Sequence, residues 1–240
     1  MELPLKPIAA TRENAKRLVI YSKPKSGKTS ALALLENNLI LDFENGSDFV
    51  EAMKLKVNNL ATLKEIGAEI IKQNKPYKYI TVDTVTALQD MCMGLAKQLY
   101  QNTPMGKGFT GDSVLKLPNG AGYLYLREAF FQVLDYIETL VPENGGIILL
   151  GHLSDKTIET GGKEVSSVEL DLIGKIKSIV CAKACAIALL KRKGDQVILT
   201  FKTSDEVTCG ARPEHLKNKE IVLTELVDNK LISHWEQIYI

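Results

Sequence analysis

The hydrophobic pattern divides the chain into short continuous apolar runs and longer stretches with helical spacing. Arg17–Tyr21, Leu39–Phe43, Tyr79–Asp83 and Gly146–Gly151 are apolar almost throughout. Runs of that kind suit strands covered on both faces, as in a parallel sheet between layers of helices. Between them the spacing predicts helices over Lys28–Glu36, Ala61–Gln73, Thr86–Tyr100 and Tyr123–Thr139. In the last, Leu126, Phe130, Leu134 and Ile137 recur every three or four residues, a stripe that should face the sheet. Strand–helix alternation predicts an α/β, doubly wound core.

After Ala184 the pattern changes. Ala184–Arg192 and Gln196–Thr203 flank Lys193-Gly194-Asp195, which reads as a hairpin turn and predicts an antiparallel extension at one sheet edge. Asn229–Ile240 reads as a terminal helix or strand with Leu231, Ile232 and Trp235 turned inward. Two stretches, Gln101–Gly122 and Ser154–Val168, fit neither period and are expected to be long functional or disordered loops.

Composition narrows the class. The 240 residues are 45% hydrophobic and 25% charged, with a net charge of +1. That predicts one domain spanning 1–240, with an N-terminal extension over 1–16 and a C-terminal segment over 227–240. A near-zero net charge excludes nucleic-acid binding through overall basicity, so any such surface must be local. Four cysteines are too few for a disulfide framework, and no apolar run reaches the ~18 residues of a spanning helix. The expectation is a reduced, cytoplasmic protein without a membrane segment.

The chemistry concentrates where the first predicted strand meets the first helix. Ser22-Lys23-Pro24-Lys25-Ser26-Gly27-Lys28-Thr29-Ser30 has the character of a phosphate-binding loop. Backbone N–H groups of such a loop point at a nucleoside triphosphate, Lys28 reaches the β and γ phosphates, and the Thr29 hydroxyl ligates Mg²⁺. Ser22 stands where the full motif has glycine, five residues before Gly27. It fits if the backbone there keeps φ negative. Pro24 lacks an N–H, at a position that need not donate.

In a parallel sheet, ligand chemistry collects at the carboxyl ends of the strands. Tyr79–Asp83 ends in a carboxylate suited to holding Mg²⁺ through a water, with Thr84 beside it. Asp42 and Glu44 follow the second run and should point the same way if the strand continues. Glu44 is the candidate to polarise an attacking water. His152, at the end of the fourth run, is placed to sense a γ-phosphate.

These features together resemble the RecA-type P-loop NTPase core: the phosphate loop, Asp42-x-Glu44, Val82-Asp83-Thr84-Val85-Thr86-Ala87-Leu88 and a polar residue ending the fourth strand. The likeness is closer to the compact phage-encoded RecA-like ATPases, often described as AAA or NTP-binding domain proteins, which accompany phage recombination and replication functions. It covers roughly residues 17–226 and includes Gly151-His152-Leu153 in place of the RecA glutamine, Gly174-Lys175-Ile176-Lys177, and the run from Gly210 through Arg212 to Leu216. The resemblance implies a mainly parallel central sheet with the fourth strand between the phosphate-loop strand and the Asp83 strand. It implies ATP as substrate with Mg²⁺ as cofactor, held by Thr29 and Asp83. Lys28, Glu44 and His152 would then be catalytic, and the location would be the cytoplasm, a host's if phage-encoded.

The resemblance also makes single-stranded DNA, or a protein bound to it, a natural partner, and a ring or filament the natural assembly. Between Asp171 and Lys193 six basic residues face one acid, the best electrostatic candidate for a DNA surface. A neighbouring subunit commonly supplies a cation to such sites, and Arg212 and Lys202 are the candidates. Cys181 and Cys185, four apart and so together on a helix, could be drawn with Cys209 and His215 as a zinc site. No Cys-x-x-Cys pair occurs, and ordinary reduced cysteines fit better. Two further functions compete: a nucleotide-dependent switch with little hydrolysis, and a small-molecule kinase. Five arginines in the whole chain argue against the arginine-rich lid that a kinase needs.

Overall fold

The computed structural model describes residues 3, 5–160, 163–204 and 206–240. In chain order the elements are β1 (Arg17–Ser22), α1 (Lys28–Ala33), β2 (Asn38–Asp42), β3 (Lys54–Lys56), α2 (Leu60–Lys72), β4 (Tyr79–Asp83), α3 (Val85–Met91), α4 (Met93–Gln101), α5 (Gly122–Thr139), β5 (Gly146–Thr160), β6 (Lys163–Leu170), α6 (Lys175–Lys183), β7 (Ala186–Lys193), β8 (Gln196–Thr200), β9 (Gly210–Ala211), β10 (Glu220–Val227) and β11 (Lys230–Ser233).

The four apolar runs become adjacent parallel strands. The sheet runs β11-β10-β8-β7-β1-β5-β4-β2-β3. From β7 through β3 the pairings are parallel, whereas β8, β10 and β11 add on antiparallel. The fold is therefore α/β with a mainly parallel central sheet, with the expected antiparallel edge and with β5 between β1 and β4. Alternation explains why the runs had to be apolar on both sides. Val19, Tyr21, Leu39, Leu41, Ile147 and Leu149 pack into one core layer, and Leu18, Ile20, Ile40, Ile148 and Leu150 into the other. Each such side chain contributes about 2 kcal/mol through burial.

The two layers are covered unequally. Leu63 of α2, Leu88 of α3 and the Leu126/Phe130/Leu134/Ile137 stripe of α5 seal the first. The second holds Leu32 of the short α1, and the C-terminal segment completes it. Trp235 packs there and its indole N–H donates to the Ala31 carbonyl at 2.9 Å. Arg17, at the foot of β1, pairs with Glu138 in the last turn of α5.

Several expectations are corrected. The helix predicted over Thr86–Tyr100 breaks at Cys92, whose N–H is shared between the Leu88 and Gln89 carbonyls. Ser154–Val168 is not an irregular loop: β5 continues to Thr160 and β6 returns antiparallel, from Leu153 opposite Leu170 to Thr160 opposite Lys163. Residues 161 and 162 of that stretch lie outside the described residues. Gln101–Gly122 folds into 3₁₀ turns pinned by buried Val114 and by the Phe109 ring against Tyr100. Glycine at 122 is required there, because a Cβ would sit 1.8 Å from the Val114 carbonyl oxygen. The C-terminal segment is a strand followed by a 3₁₀ turn. Trp235 is buried, but Leu231 and Ile232 are exposed. Cys185 lies beyond the end of α6, so it does not share a helix face with Cys181.

Candidate functional site

β1 ends at Ser22, and the chain turns through residues 23–27 into α1. Ser22 is fully buried and is not among the residues with positive φ, which is how serine can occupy a position that glycine usually fills. Left-handed backbone falls instead at Lys25 (φ 59°) and Gly27 (φ 95°). Such a turn curls successive backbone amides into a concave, anion-binding nest. The Ser22 and Ser26 hydroxyls meet at 2.6 Å across the loop, and Ser26 donates to the Lys23 carbonyl at 2.8 Å. Lys28, only 7% exposed, rests its ammonium on Ser22 Oγ at 3.2 Å and the Lys23 carbonyl at 3.3 Å. Burial lowers its pKa, opposed by the charges of Asp83 and Glu44.

The acids sit on the neighbouring strands. Asp83 ends β4, 4% exposed, and accepts a hydrogen bond from Thr29 Oγ1 at 2.7 Å. Burial pushes its carboxyl up to about 6, with Glu44 and Asp42 adding to the rise and Thr29 and Lys28 opposing it. Asp42 is opposite Asp83 in the β2–β4 register, yet its surroundings differ. Its carboxylate accepts from the amides of Glu44, Gly46 and Ser47 and, at 2.6 Å, from the Ser47 hydroxyl. Burial alone would raise its pKa, but these donors outweigh it and hold the group below the usual range. β2 stops at Asp42, so Asp42 and Glu44 do not form the expected same-facing pair: Asp42 anchors the loop and Glu44 projects from it.

Glu44 Oε1 accepts from the Thr84 hydroxyl and lies 2.7 Å from His152 Nε2. Thr84 also caps α3 through its contact with the Ala87 amide. His152 sits beside Ser22 across the β1–β5 pairing, and its buried Nδ1 has no hydrogen-bond partner among the described residues. The structure thus gathers Lys28, Thr29, Asp83, Glu44 and His152 around the turn after β1. Sequence reasoning did not single out Ser47, the residue that locks the Glu44 loop; a hydroxyl five residues after a strand-end aspartate was the available signal.

Arg212 and Lys202 are not brought to the turn of their own chain. Arg212 follows β9, which pairs with the start of β7, and its guanidinium donates to the Ala182 carbonyl at the end of α6. Lys202 pairs with Glu220 at 3.6 Å. No group of three or more His, Cys, Asp or Glu among the described residues is arranged to hold a metal ion. Tyr21 reaches Cys209 at 3.8 Å, and burial raises the thiol pKa values of Cys181 and Cys209, as for reduced cysteines. Among the described residues no helix is long and apolar enough to cross a membrane.

The donor set fits Mg²⁺ held together with a phosphate chain. One hydroxyl and one buried carboxylate are adjacent, and Mg²⁺ takes its remaining ligands from phosphate and water. No curated protein matches the chain. Among solved structures it is similar to the KaiC-like protein PH0186 from the hyperthermophilic archaeon Pyrococcus horikoshii OT3, with 12% identity over 91% of this chain and 89% of that one and a TM-score of 0.45. The family model described as "AAA domain" matches residues 14–212, and the chain belongs to that P-loop ATPase family.

Proposed function

We propose that this protein binds ATP with Mg²⁺, hydrolyses it, and couples nucleotide state to single-stranded DNA or a DNA-bound protein of recombination or replication, in the cytoplasm. The observation that carries the reading is the Thr29–Asp83 hydrogen bond beside Lys28, which joins the phosphate loop to the strand-end acid. Lys28 leaves its resting acceptors, Ser22 and the Lys23 carbonyl, to meet β and γ phosphates. Thr29 and Asp83 would hold Mg²⁺, which would neutralise charge on the phosphate oxygens. Glu44 orients the attacking water, and its Thr84 contact fixes the direction of its carboxylate. A cation from a neighbouring copy would complete the site; of the two candidates, Lys202 pairs with Glu220 and the Arg212 guanidinium donates to the Ala182 carbonyl in their own chain.

DNA coupling draws support from β5. The strand that carries His152 runs on into the β5–β6 ribbon, so a displacement of His152 is passed along one continuous strand. A second reading, a switch that hydrolyses slowly, is favoured by one observation: Glu44 is engaged by both Thr84 and His152. Phosphate release by the wild type and Lys28→Ala, each with and without single-stranded DNA, tests both. A rate that DNA stimulates and Lys28→Ala abolishes supports the first reading. A wild type that binds ATP but barely turns it over with DNA present supports the second.

A further inference from the structure

Ser22 stands where phosphate loops usually carry glycine, and its hydroxyl belongs to a closed circuit of hydrogen bonds. Lys28 Nζ donates to Ser22 Oγ at 3.2 Å and to the Lys23 carbonyl at 3.3 Å. Ser22 Oγ lies 2.6 Å from Ser26 Oγ, and both hydroxyls are within reach of that same carbonyl, Ser22 at 3.0 Å and Ser26 at 2.8 Å. Two hydroxyls 2.6 Å apart need one proton between them, so the other hydroxyl proton goes to the Lys23 carbonyl. In either direction Ser22 keeps a lone pair for Lys28. The circuit therefore runs from Lys28 through the two serines to the Lys23 carbonyl and back to Lys28.

Burial gives the circuit its weight. Ser22 is fully buried and Lys28 nearly so, which leaves bulk water a poor substitute acceptor. Among the described residues the Lys28 ammonium has these two oxygens as its hydrogen-bond acceptors. Glycine at position 22 would remove one of them and leave the cation on a single carbonyl. Hydrogen bonds from a charged donor are the strong ones, more so away from water. A phosphate chain that needs Lys28 must first draw it off this arrangement. A ligand that binds only the freed form has its affinity lowered by the fraction of protein in that form.

We infer that the Ser22 hydroxyl is a resting acceptor that competes with phosphate for Lys28, and so sets the nucleotide affinity of the loop. The inference rests on the nucleotide reading above and adds to it a positioning residue that acts through Lys28. In the empty site the cation is turned back onto its own loop. When phosphate takes Lys28, Ser22 keeps its bond to Ser26, so no buried hydroxyl is stranded and the exchange is reversible.

Binding of a fluorescent ATP analogue with Mg²⁺ to the full chain, by titration and stopped flow, tests this in a double-mutant cycle of Ser22→Ala and Lys28→Ala. Ser22→Ala, which keeps the Cβ, binds the analogue about tenfold more tightly, as expected for a resting arrangement favoured about tenfold, and the gain lies in the association rate. Ser22→Gly shifts the affinity in the same direction. On the Lys28→Ala background, Ser22→Ala changes affinity by less than about twofold, because the cation for which the hydroxyl competes is gone. A merely structural serine would instead weaken binding on both backgrounds and lower the urea midpoint. If Ser22→Ala and Ser22→Gly bind as the wild type does, or more weakly, while Lys28→Ala is still deficient, the inference is overturned and the nucleotide reading stands. Equal gains with and without Lys28 also overturn it. A wild type that binds no analogue, or Lys28→Ala binding as tightly as the wild type, removes both.

Discussion

Asn at position 83 should make the empty protein more stable and less able to bind Mg²⁺ with ATP. The Asp83 carboxyl is pushed from 3.8 to about 6, first by burial and then by Glu44 and Asp42. Between those values the folded chain holds a proton that the unfolded chain has released. Stability from this group therefore rises as pH falls through 6 and is fully gained near 4, whereas above 6 the folded state carries the whole cost, about 3 kcal/mol. Asp83→Asn removes the charge and keeps an acceptor for Thr29. Exchanging a charge-assisted hydrogen bond for a neutral one offsets roughly 1 kcal/mol of the gain. Urea unfolding with chelator and no nucleotide should show Asp83→Asn about 1–3 kcal/mol more stable at pH 7.5, and the difference should shrink towards zero near pH 4.5. Other titrating groups cancel in that comparison. A variant less stable than the wild type at pH 7.5, or a difference that ignores pH, refutes the argument that Asp83 is a burdened buried acid.

Lys28→Ala should lose about 100-fold in affinity for a fluorescent ATP analogue, since a bound anion would lack its buried cation. Glu44→Gln should keep nucleotide affinity within about threefold while phosphate release falls about 100-fold or more; unchanged release would place the water-orienting group elsewhere. Gly27→Ala should lower stability by about 1–2 kcal/mol by urea titration, because φ at 95° is strained for any Cβ and the new methyl would lie 3.3 Å from Val197 Cγ2.

The parallel core was legible because Leu18–Ile20, Leu39–Leu41 and Ile147–Leu150 have to be apolar on both faces, and a run without alternation states that directly. The hairpin at Gly194 was legible from its turn chemistry. β3 was not, because three residues with two lysines carry no periodic signal. The β5–β6 ribbon was not legible either, since Gly, Ser, Thr and charge mask the period of two in a ribbon outside the main core. Leu231 and Ile232 were read inward from hydrophobicity alone, which cannot distinguish a core strand from an apolar surface. Within the site, the loop and strand-end residues were visible as types and spacings. Their long-range hydrogen-bond partners were not, because Thr84, His152 and the Glu44 loop meet only through the fold.

Asp42 and Asp83 show what that difference means chemically. They are the same residue type, opposite each other on adjacent parallel strands, and both buried. Asp42 receives three amides and a hydroxyl, all from its own loop, and is held ionised as an anchor. Among the described residues the Asp83 carboxylate accepts only the Thr29 hydroxyl bond, and it faces further negative charge from Glu44. A buried carboxylate this poorly satisfied is costly unless a cation arrives, and the cradle beside it is shaped for an anion that brings one. The acid that the protein leaves under-bonded is the one adjacent to the phosphate loop, while the acid one strand away is saturated. The number of protein donors to each carboxylate, rather than its place in a motif, separates the anchor from the proposed ligand.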